Sequence, residues 1–377
     1  MAQPTAGVVD ADGHVLEPMS LWNRHLAPDH RRYAPRIVRN DWGLDTVYVG
    51  AQEIVTAPLG LLGTPGSHMD ETDPAKKIPW EQAHRGGFDP VERLRDMDLE
   101  GIDIAVLYPS LGLNFWGIDD PAAAVALARA YNDWLAEYCA ANPRRLFGAA
   151  MLPFQDPDGA VTELQRAARE LHFRAAFVRP NPCRGRHLGD PAFEPVWAAA
   201  EALNITIGIH EGSSNVIPTL GMDRLFNPLL LHAMSHPFEQ MLACATLMVT
   251  GAMDRHPALR FVFLESGGGW APYWMWRLDE QVHGFGRYAP EMKLKPSEYF
   301  RRQCWISFEA DEASLPALLP HIGEQRVVWG SDYPHHDATF PGAVKQLRAA
   351  IGPLPSSVRQ QLLRDNANAL YRLPATG

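Results

Sequence analysis

A parallel (β/α)8 barrel, the TIM-barrel class of α/β fold, is what this sequence predicts. Three observations carry the expectation. Eight short, strongly apolar segments read as strands, helical stretches separate them along nearly the whole chain, and no G-x-G-x-x-G turn follows a strand to mark a dinucleotide-binding sheet. The 377 residues, 46% hydrophobic and 21% charged, suffice for one large barrel with a sizeable core. An open doubly wound sheet is the competing architecture.

The first strand, Val8 to Asp12, runs straight into D-A-D-G-H. Positions two apart share a face of an extended chain, so Asp12 and His14 offer a carboxylate and an imidazole side by side. Residues 15–88 follow, rich in Pro, Gly and Trp and weakly periodic, too long for an ordinary connection. They are expected to form an insertion or lid within a single metal-dependent domain spanning 1–377. Phe88 to Gly101 reads as a helix, with Asp89 as cap, Pro90 at its first position and Gly101 at its end. Ile102 to Pro109 is a buried strand. Pro121 to Asn142 is an Ala-rich helix, Phe147 to Pro153 a strand, Asp156 to Leu171 a helix and Ala175 to Arg179 a strand. Phe193 to Leu203 (helix), Ile205 to His210 (strand) and Phe238 to Met253 (helix, after an insertion) continue the alternation. The strands Arg260 to Glu265, Cys304 to Glu309 and Val327 to Asp332 complete the eight, with final helices near Gly342 to Ile351 and Ser356 to Tyr371.

Composition excludes several classes. A net charge of −10 argues against a grip on nucleic-acid phosphates, and no Lys/Arg cluster overrides it. No apolar run is long enough to span a bilayer, and the N-terminus lacks a signal peptide's basic segment and apolar core. Four widely spaced cysteines without C-x-x-C read as reduced thiols of a cytoplasmic protein.

Chemistry collects at the strand ends. Strand one ends in Asp12 and His14, strand five in His210 and Glu211, strand six in Glu265, strand seven in Glu309 and strand eight in Asp332. In a closed barrel the C-terminal ends converge on one mouth. So many carboxylates and imidazoles aimed at one place need a cation to reconcile them.

D-A-D-G-H, I-G-I-H-E-G and G-S-D-Y-P-H, in that order, resemble the amidohydrolase superfamily over about Gly7 to Leu373. The branch they resemble contains aminocarboxymuconate-semialdehyde decarboxylase and the resorcylate-type decarboxylases. The resemblance implies a divalent metal held by Asp12, His14, His210 and Asp332. Those decarboxylases carry H-G-G-G after strand six, where this chain has E-S-G-G-G with Glu265. The superfamily's bridging carboxylated lysine also has no counterpart, because no Lys ends strand four. Three carboxylates (Asp12, Glu265, Asp332) with His14, His210 and His236 have the charge to hold two divalent ions.

L-E-S-G-G-G-W and W-x-x-R-L-D-E (Trp274 to Glu280) are similar to a small group of barrel enzymes that are non-heme di-iron monooxygenases, one of them acting in terpenoid antibiotic biosynthesis. The function expected on that resemblance is hydroxylation of a small molecule, terpenoid or CoA-linked acid, by two iron ions and dioxygen, with electrons from an external donor. The alternatives are a decarboxylase or hydrolase with one zinc or manganese ion, and a barrel that binds a ligand without turning it over.

The remaining candidates carry open roles. His236 is a ligand or a core histidine, and His232, one turn earlier, is expected at the surface. Glu309 accepts from a ligand imidazole or forms a salt bridge. His335, beside His336, is a candidate proton donor, and Arg179 a candidate partner for a substrate carboxylate or a buried ion pair. Glu211 is expected to be structural, Gly267 to Gly269 to permit a sharp turn, Asp311 and Glu312 to form a solvated cap, and Trp22, Trp80 and Trp116 to pack in the core. The sequence does not fix an oligomeric state; for a homo-oligomer, the C-terminal helix and the early insertion are the candidate interfaces.

Overall fold

The computed structural model describes residues 7–67, 78–212, 214, 216–224 and 227–374. Eleven strands form two sheets among these residues: β1 (Val9–His14), β2 (Arg36–Arg39), β3 (Asp45–Val49), β4 (Gln52–Ala57), β5 (Ile104–Tyr108), β6 (Leu146–Met151), β7 (Ala175–Val178), β8 (Thr206–His210), β9 (Phe261–Leu264), β10 (Cys304–Phe308) and β11 (Val327–Trp329). The larger sheet is all parallel in the order β1-β5-β6-β7-β8-β9-β10-β11. Its last strand returns to its first. Asp332 donates its amide to Asp12 O at 2.9 Å and His14 its amide to Tyr333 O at 2.7 Å, so the sheet is a barrel and the open alternative fails. Helices cover its outer face and side chains fill its interior, so runs such as I-A-V-L-Y in β5 and F-V-F-L in β9 are buried throughout.

The helices begin where the local chemistry dictates. Asp89, Asp120 and Asp156 accept hydrogen bonds from the amides of Val91, Ala122 and Gly159, and each precedes a proline that needs no amide partner. Gly101 ends the helix Pro90–Glu100 in the left-handed conformation, φ 78°.

One helix differs from the expectation. The segment expected at Phe238 to Met253 is Pro228–Val249, begun by the side chain of Asn227, which accepts from the Leu230 amide. Pro237 reads as a break in the sequence, since it removes one helical hydrogen bond. Here it is carried inside a long helix whose inner face is packed on the barrel, and packing outweighs the local penalty.

The early insertion holds the second sheet, antiparallel in the order β2-β3-β4. It reaches the barrel mouth at two places. The Gln52 side chain donates to Gly117 O at 2.7 Å and accepts from the Asp119 amide at 2.9 Å. Gly66 N donates to Ala338 O at 3.0 Å, beyond the last barrel strand. Residues 68–77 of the expected insertion lie outside the described residues. Trp22, Trp80 and Trp116 are core residues, as expected. All four cysteines are unpaired and buried, and no described helix is long and apolar enough to cross a membrane.

Candidate metal centre

Strand ends deliver their side chains to one place. Asp12 Oδ1 lies 3.7 Å from His14 Nε2 and 3.4 Å from His210 Nε2, and Asp332 Oδ1 lies 3.3 Å from His14 Nε2. Glu265 Oε2 is 3.3 Å from His210 Nε2, while its Oε1 is 3.4 Å from His236 Nε2. Three overlapping groups have ligand atoms all within 4.8 Å of one another: Asp12, His14 and His210; His14, Glu265, Asp332 and His335; and His232, His236 and Glu265.

The imidazoles are oriented to present lone pairs. His14 Nδ1 lies 2.8 Å from Pro109 O, and His210 Nδ1 is bonded to Glu211 O. A carbonyl only accepts, so each Nδ1 carries the hydrogen and each Nε2 is left with its lone pair. These two Nε2 atoms then face one another at 3.0 Å beside the unpartnered Asp12 Oδ1. Glu265 Oε2 is a second buried oxygen without a hydrogen-bond partner. Lone pairs and orphaned anions converging in a dry place repel one another, and a divalent cation is the species whose charge and coordination satisfy them. The donor set, hard oxygens with imidazoles, suits manganese or zinc.

Backbone geometry pays a local cost for this convergence. Glu265 and Asp332 are non-glycine residues at φ 48° and 53°, in the sparsely populated left-handed region. Both sit just past a strand end, where the turn swings the carboxylate across the mouth. In β1 the register slips between Asp10 and Gly13, a bulge beside the centre that re-aims Asp12 and His14.

The electrostatics follow from burial and crowding. Burial pushes Asp12 up to about 6, against the pull of His210. Burial, then Glu265, raises Asp332 well above the usual carboxylate range. Burial holds His14 well below the ordinary imidazole value, aided by His335 and His210. For His236 burial works downward, but Glu265 and Glu211 outweigh it and push the ring up to about 9. Glu265 is the converse: burial works upward and is outweighed by His236 and His210, leaving the group well below its usual value.

His335 adjoins the centre. Its Nδ1 lies 2.6 Å from Asp332 Oδ1, its Nε2 lies 2.8 Å from Ser110 Oγ, and its ring is 4.1 Å from that of His14. Burial pushes it down to about 4. Ser110 escaped the sequence reading, although its place just after β5 was a usable signal.

Two expectations are corrected. Arg179 is not available to a substrate carboxylate. It is wholly buried, with Nε donating to Asn181 Oδ1 (2.9 Å), one terminal nitrogen to Leu113 O (3.1 Å), and the other to Glu211 Oε1 and Gly212 O (2.7 Å each). It thereby steers Glu211, whose second oxygen, itself unpartnered, lies 3.6 Å from His236 Nε2. Glu211 is thus structural through one oxygen and part of the site wall through the other. Glu309 stands exposed at the end of β10 and supports no ligand imidazole, because backbone carbonyls hold His14 and His210 and Ser235 Oγ lies 3.0 Å from His236 Nδ1. Sequence spacing places a residue at a strand end but cannot say that main-chain oxygen has taken its partner.

Around the site, His232 is exposed, as expected, although its ring lies 4.8 Å from that of His236. The glycine turn at 267–269 accommodates φ 64° at Gly267, and Gly268 N donates to both oxygens of Glu312 at 3.0 and 2.8 Å. Glu312 is therefore not a solvated cap of its own segment. It caps the start of the helix Trp270–Phe285.

Comparison with known proteins identifies the family. The family model described as amidohydrolase matches residues 9–373. Gamma-resorcylate decarboxylase of Rhizobium radiobacter is 31% identical over 295 residues, covering 74% of this chain and 86% of the relative. A dihydroxybenzoic acid decarboxylase from Polaromonas sp. JS666, solved with bound manganese and the inhibitor 2-nitroresorcinol, has a TM-score of 0.67 at 25% identity, covering 82% of this chain and 96% of that one. An amidohydrolase from Mycobacterium avium subsp. paratuberculosis shares the fold, with a TM-score of 0.81 at 24% identity over 98% of this chain and 100% of its own.

The expected di-iron monooxygenase, with its role in antibiotic biosynthesis, is overturned by the Rhizobium and Polaromonas relatives, which are decarboxylases. Two irons and an external electron donor fall with it. Mixed carboxylate and imidazole ligands had suggested dioxygen chemistry, but that donor set equally suits an ion that stays in one oxidation state.

Proposed function

Because the chain belongs to the amidohydrolase family, we propose that it is a metal-dependent decarboxylase holding one divalent ion, manganese or zinc, at Asp12, His14, His210 and Asp332, with Glu265 completing the set. The observation that carries the metal is the pair of imidazole lone pairs 3.0 Å apart beside an orphaned carboxylate oxygen. The reaction class rests on the relatives, and with it the substrate class, a small aromatic carboxylic acid of the hydroxybenzoate type.

A cation bound there would supply positive charge that fixes the substrate's oxygen donors and draws electron density from its ring. The chain's own residues supply the rest. Decarboxylation exchanges carbon dioxide for a proton on the carbon it leaves, so the site needs a proton carrier. His335 and Asp332, joined at 2.6 Å, are the pair placed to carry it, with Ser110 Oγ holding the imidazole from the other side. Glu265 and Glu211 flank His236 Nε2 and hold that ring on the rim of the site. The insertion, touching the mouth at Gly117 and Ala338, acts as the lid that limits water.

The test is direct. Manganese-loaded protein is incubated with 2,6-dihydroxybenzoate and related hydroxybenzoates, with and without oxygen, and carbon dioxide release is followed. Release that is unaffected by anaerobiosis and lost on chelation supports the reading. Ester or amide cleavage without carbon dioxide would move the protein to the hydrolases, and an absolute need for oxygen would overturn the assignment.

A further inference from the structure

Glu17 is a buried acid that the proposed reaction does not use. It lies three residues past His14 and is fully buried, yet no cationic side chain pairs with it among the described residues. Main-chain amides meet it instead. Its Oε1 accepts from Gly112 N at 2.9 Å, and its Oε2 accepts from Leu111 N at 2.9 Å and Ser110 N at 3.4 Å. Its own carbonyl accepts from Trp80 Nε1 at 2.8 Å, which fixes the residue from the side of the insertion. Burial pushes the carboxyl up to about 7 even against these amides, so an acid here costs stability that an apolar residue would not. A side chain that costly points to a use beyond packing.

The segment it holds does two jobs at the centre. β1 and β5 pair as far as His14 and Tyr108, and beyond that point Glu17 takes over as the link between them. Pro109, next in the chain, has its carbonyl 2.8 Å from His14 Nδ1, and Ser110 has its Oγ 2.8 Å from His335 Nε2. One short stretch therefore orients both an imidazole proposed to bind the metal and the imidazole proposed to carry the proton. Gly112 permits the approach: an added Cβ would stand 3.1 Å from Glu17 Oε1, 2.8 Å from Pro109 Cβ and 2.3 Å from Met151 Cε.

We infer that Glu17 is a positioning residue for the centre: by holding the amides of Ser110, Leu111 and Gly112 it fixes the Pro109 carbonyl against His14 and the Ser110 hydroxyl against His335. The inference rests on the metal-dependent reading above. Glu17→Gln leaves one oxygen and puts an NH2 where the other stood, so it cannot accept on both sides and sets a donor against a main-chain N–H. Losing an outer partner of a metal-binding imidazole costs about 10–100-fold in affinity or activity. Glu17 acts one hydrogen bond further out, so the lower end of that range is expected.

Glu17→Gln, Ser110→Ala and the double variant test this on the full chain, well below their melting temperatures. Calorimetric titration should show Glu17→Gln binding manganese about tenfold more weakly than the wild type. With manganese saturating, kcat for carbon dioxide release from 2,6-dihydroxybenzoate should fall about tenfold in each single variant, with KM nearly unchanged. The double variant should be no slower than the slower single one, because Glu17 reaches His335 through Ser110. Should Glu17→Gln fail to fold, Glu17→Asp, which keeps the anion and shortens its reach, takes its place with the same expected directions. A variant that melts lower but keeps its manganese affinity and kcat would reduce Glu17 to a structural role and overturn the inference. Multiplying effects in the double variant would overturn the route through Ser110. A wild type that binds manganese but releases no carbon dioxide would sink the reaction alone, and the affinity of Glu17→Gln would still decide the inference. A wild type that binds neither manganese nor zinc would overturn the centre and this role with it.

Discussion

Asp12 shows how much one buried oxygen can determine. Raised to about 6 by burial, it must give up its proton before a cation can take its place. Protons therefore compete with the metal below that value, and Asp332, raised as well, adds to the competition, so affinity should fall by at least about tenfold for each pH unit below about 6. Calorimetric titration with manganese across that range measures it, and a flat profile would sink the assignment of Asp12 as a ligand. Asp332→Asn and His210→Ala should each reduce bound metal from about one ion per chain to a small fraction, read by elemental analysis on protein purified in manganese. Arg179 makes a different prediction. Its partner Glu211 is fully buried, so Arg179→Ala strands a carboxylate and should cost about 3–5 kcal/mol in denaturant unfolding without any substrate present. A substrate-binding arginine would instead leave stability nearly untouched.

Among elements, β1 is tightly constrained beside the candidate centre. Gly13 sits in its bulge with no room for a side chain: an added Cβ would lie 2.5 Å from Arg93 Nη2 and 2.8 Å from Asp10 Oδ2. Arg93 in turn donates to His14 O at 2.8 Å, so the bulge, the arginine and the ligand histidine move together. Gly13→Ala should destabilise the fold by about 1–3 kcal/mol and weaken metal binding in the same variant. Calorimetric melting with and without manganese separates the two effects. If metal affinity survives intact, the bulge does not aim the ligands. The helix Pro228–Val249 teaches the opposite lesson about local rules. Pro237 and a polar inner face both argue against a long helix there, yet barrel contacts through Gln240 hold it and so place His236 at the site.

For the molecule as a whole, a cation held at the proposed centre would act as a clasp. Its proposed ligands come from both ends of the chain, Asp12 and His14 from β1 and Asp332 from just beyond β11, and these two strands meet through only a few backbone hydrogen bonds. A metal that binds the folded chain and not the unfolded one stabilises it by mass action. Chelated protein should accordingly melt several degrees lower than protein with excess manganese, with re-addition restoring the difference. Equal melting temperatures would mean that the centre does not bridge the seam.

The amino-acid order alone determined the barrel, because eight buried β/α units leave few other ways to pair strands, and it determined the ring of strand-end candidate ligands, because alternation and strand length put Asp12, His14, His210, Glu265 and Asp332 at one rim. Only the tertiary structure decided their partners. Whether Arg179 meets Glu211 or a ligand, whether the Pro109 carbonyl or Glu309 orients the His14 imidazole, and whether Ser110 reaches His335 all depend on residues tens to hundreds of positions apart. Periodicity along a chain reports which face a side chain occupies. It carries no information about which atom waits across the gap, and in a buried, crowded site that atom sets both charge and chemistry.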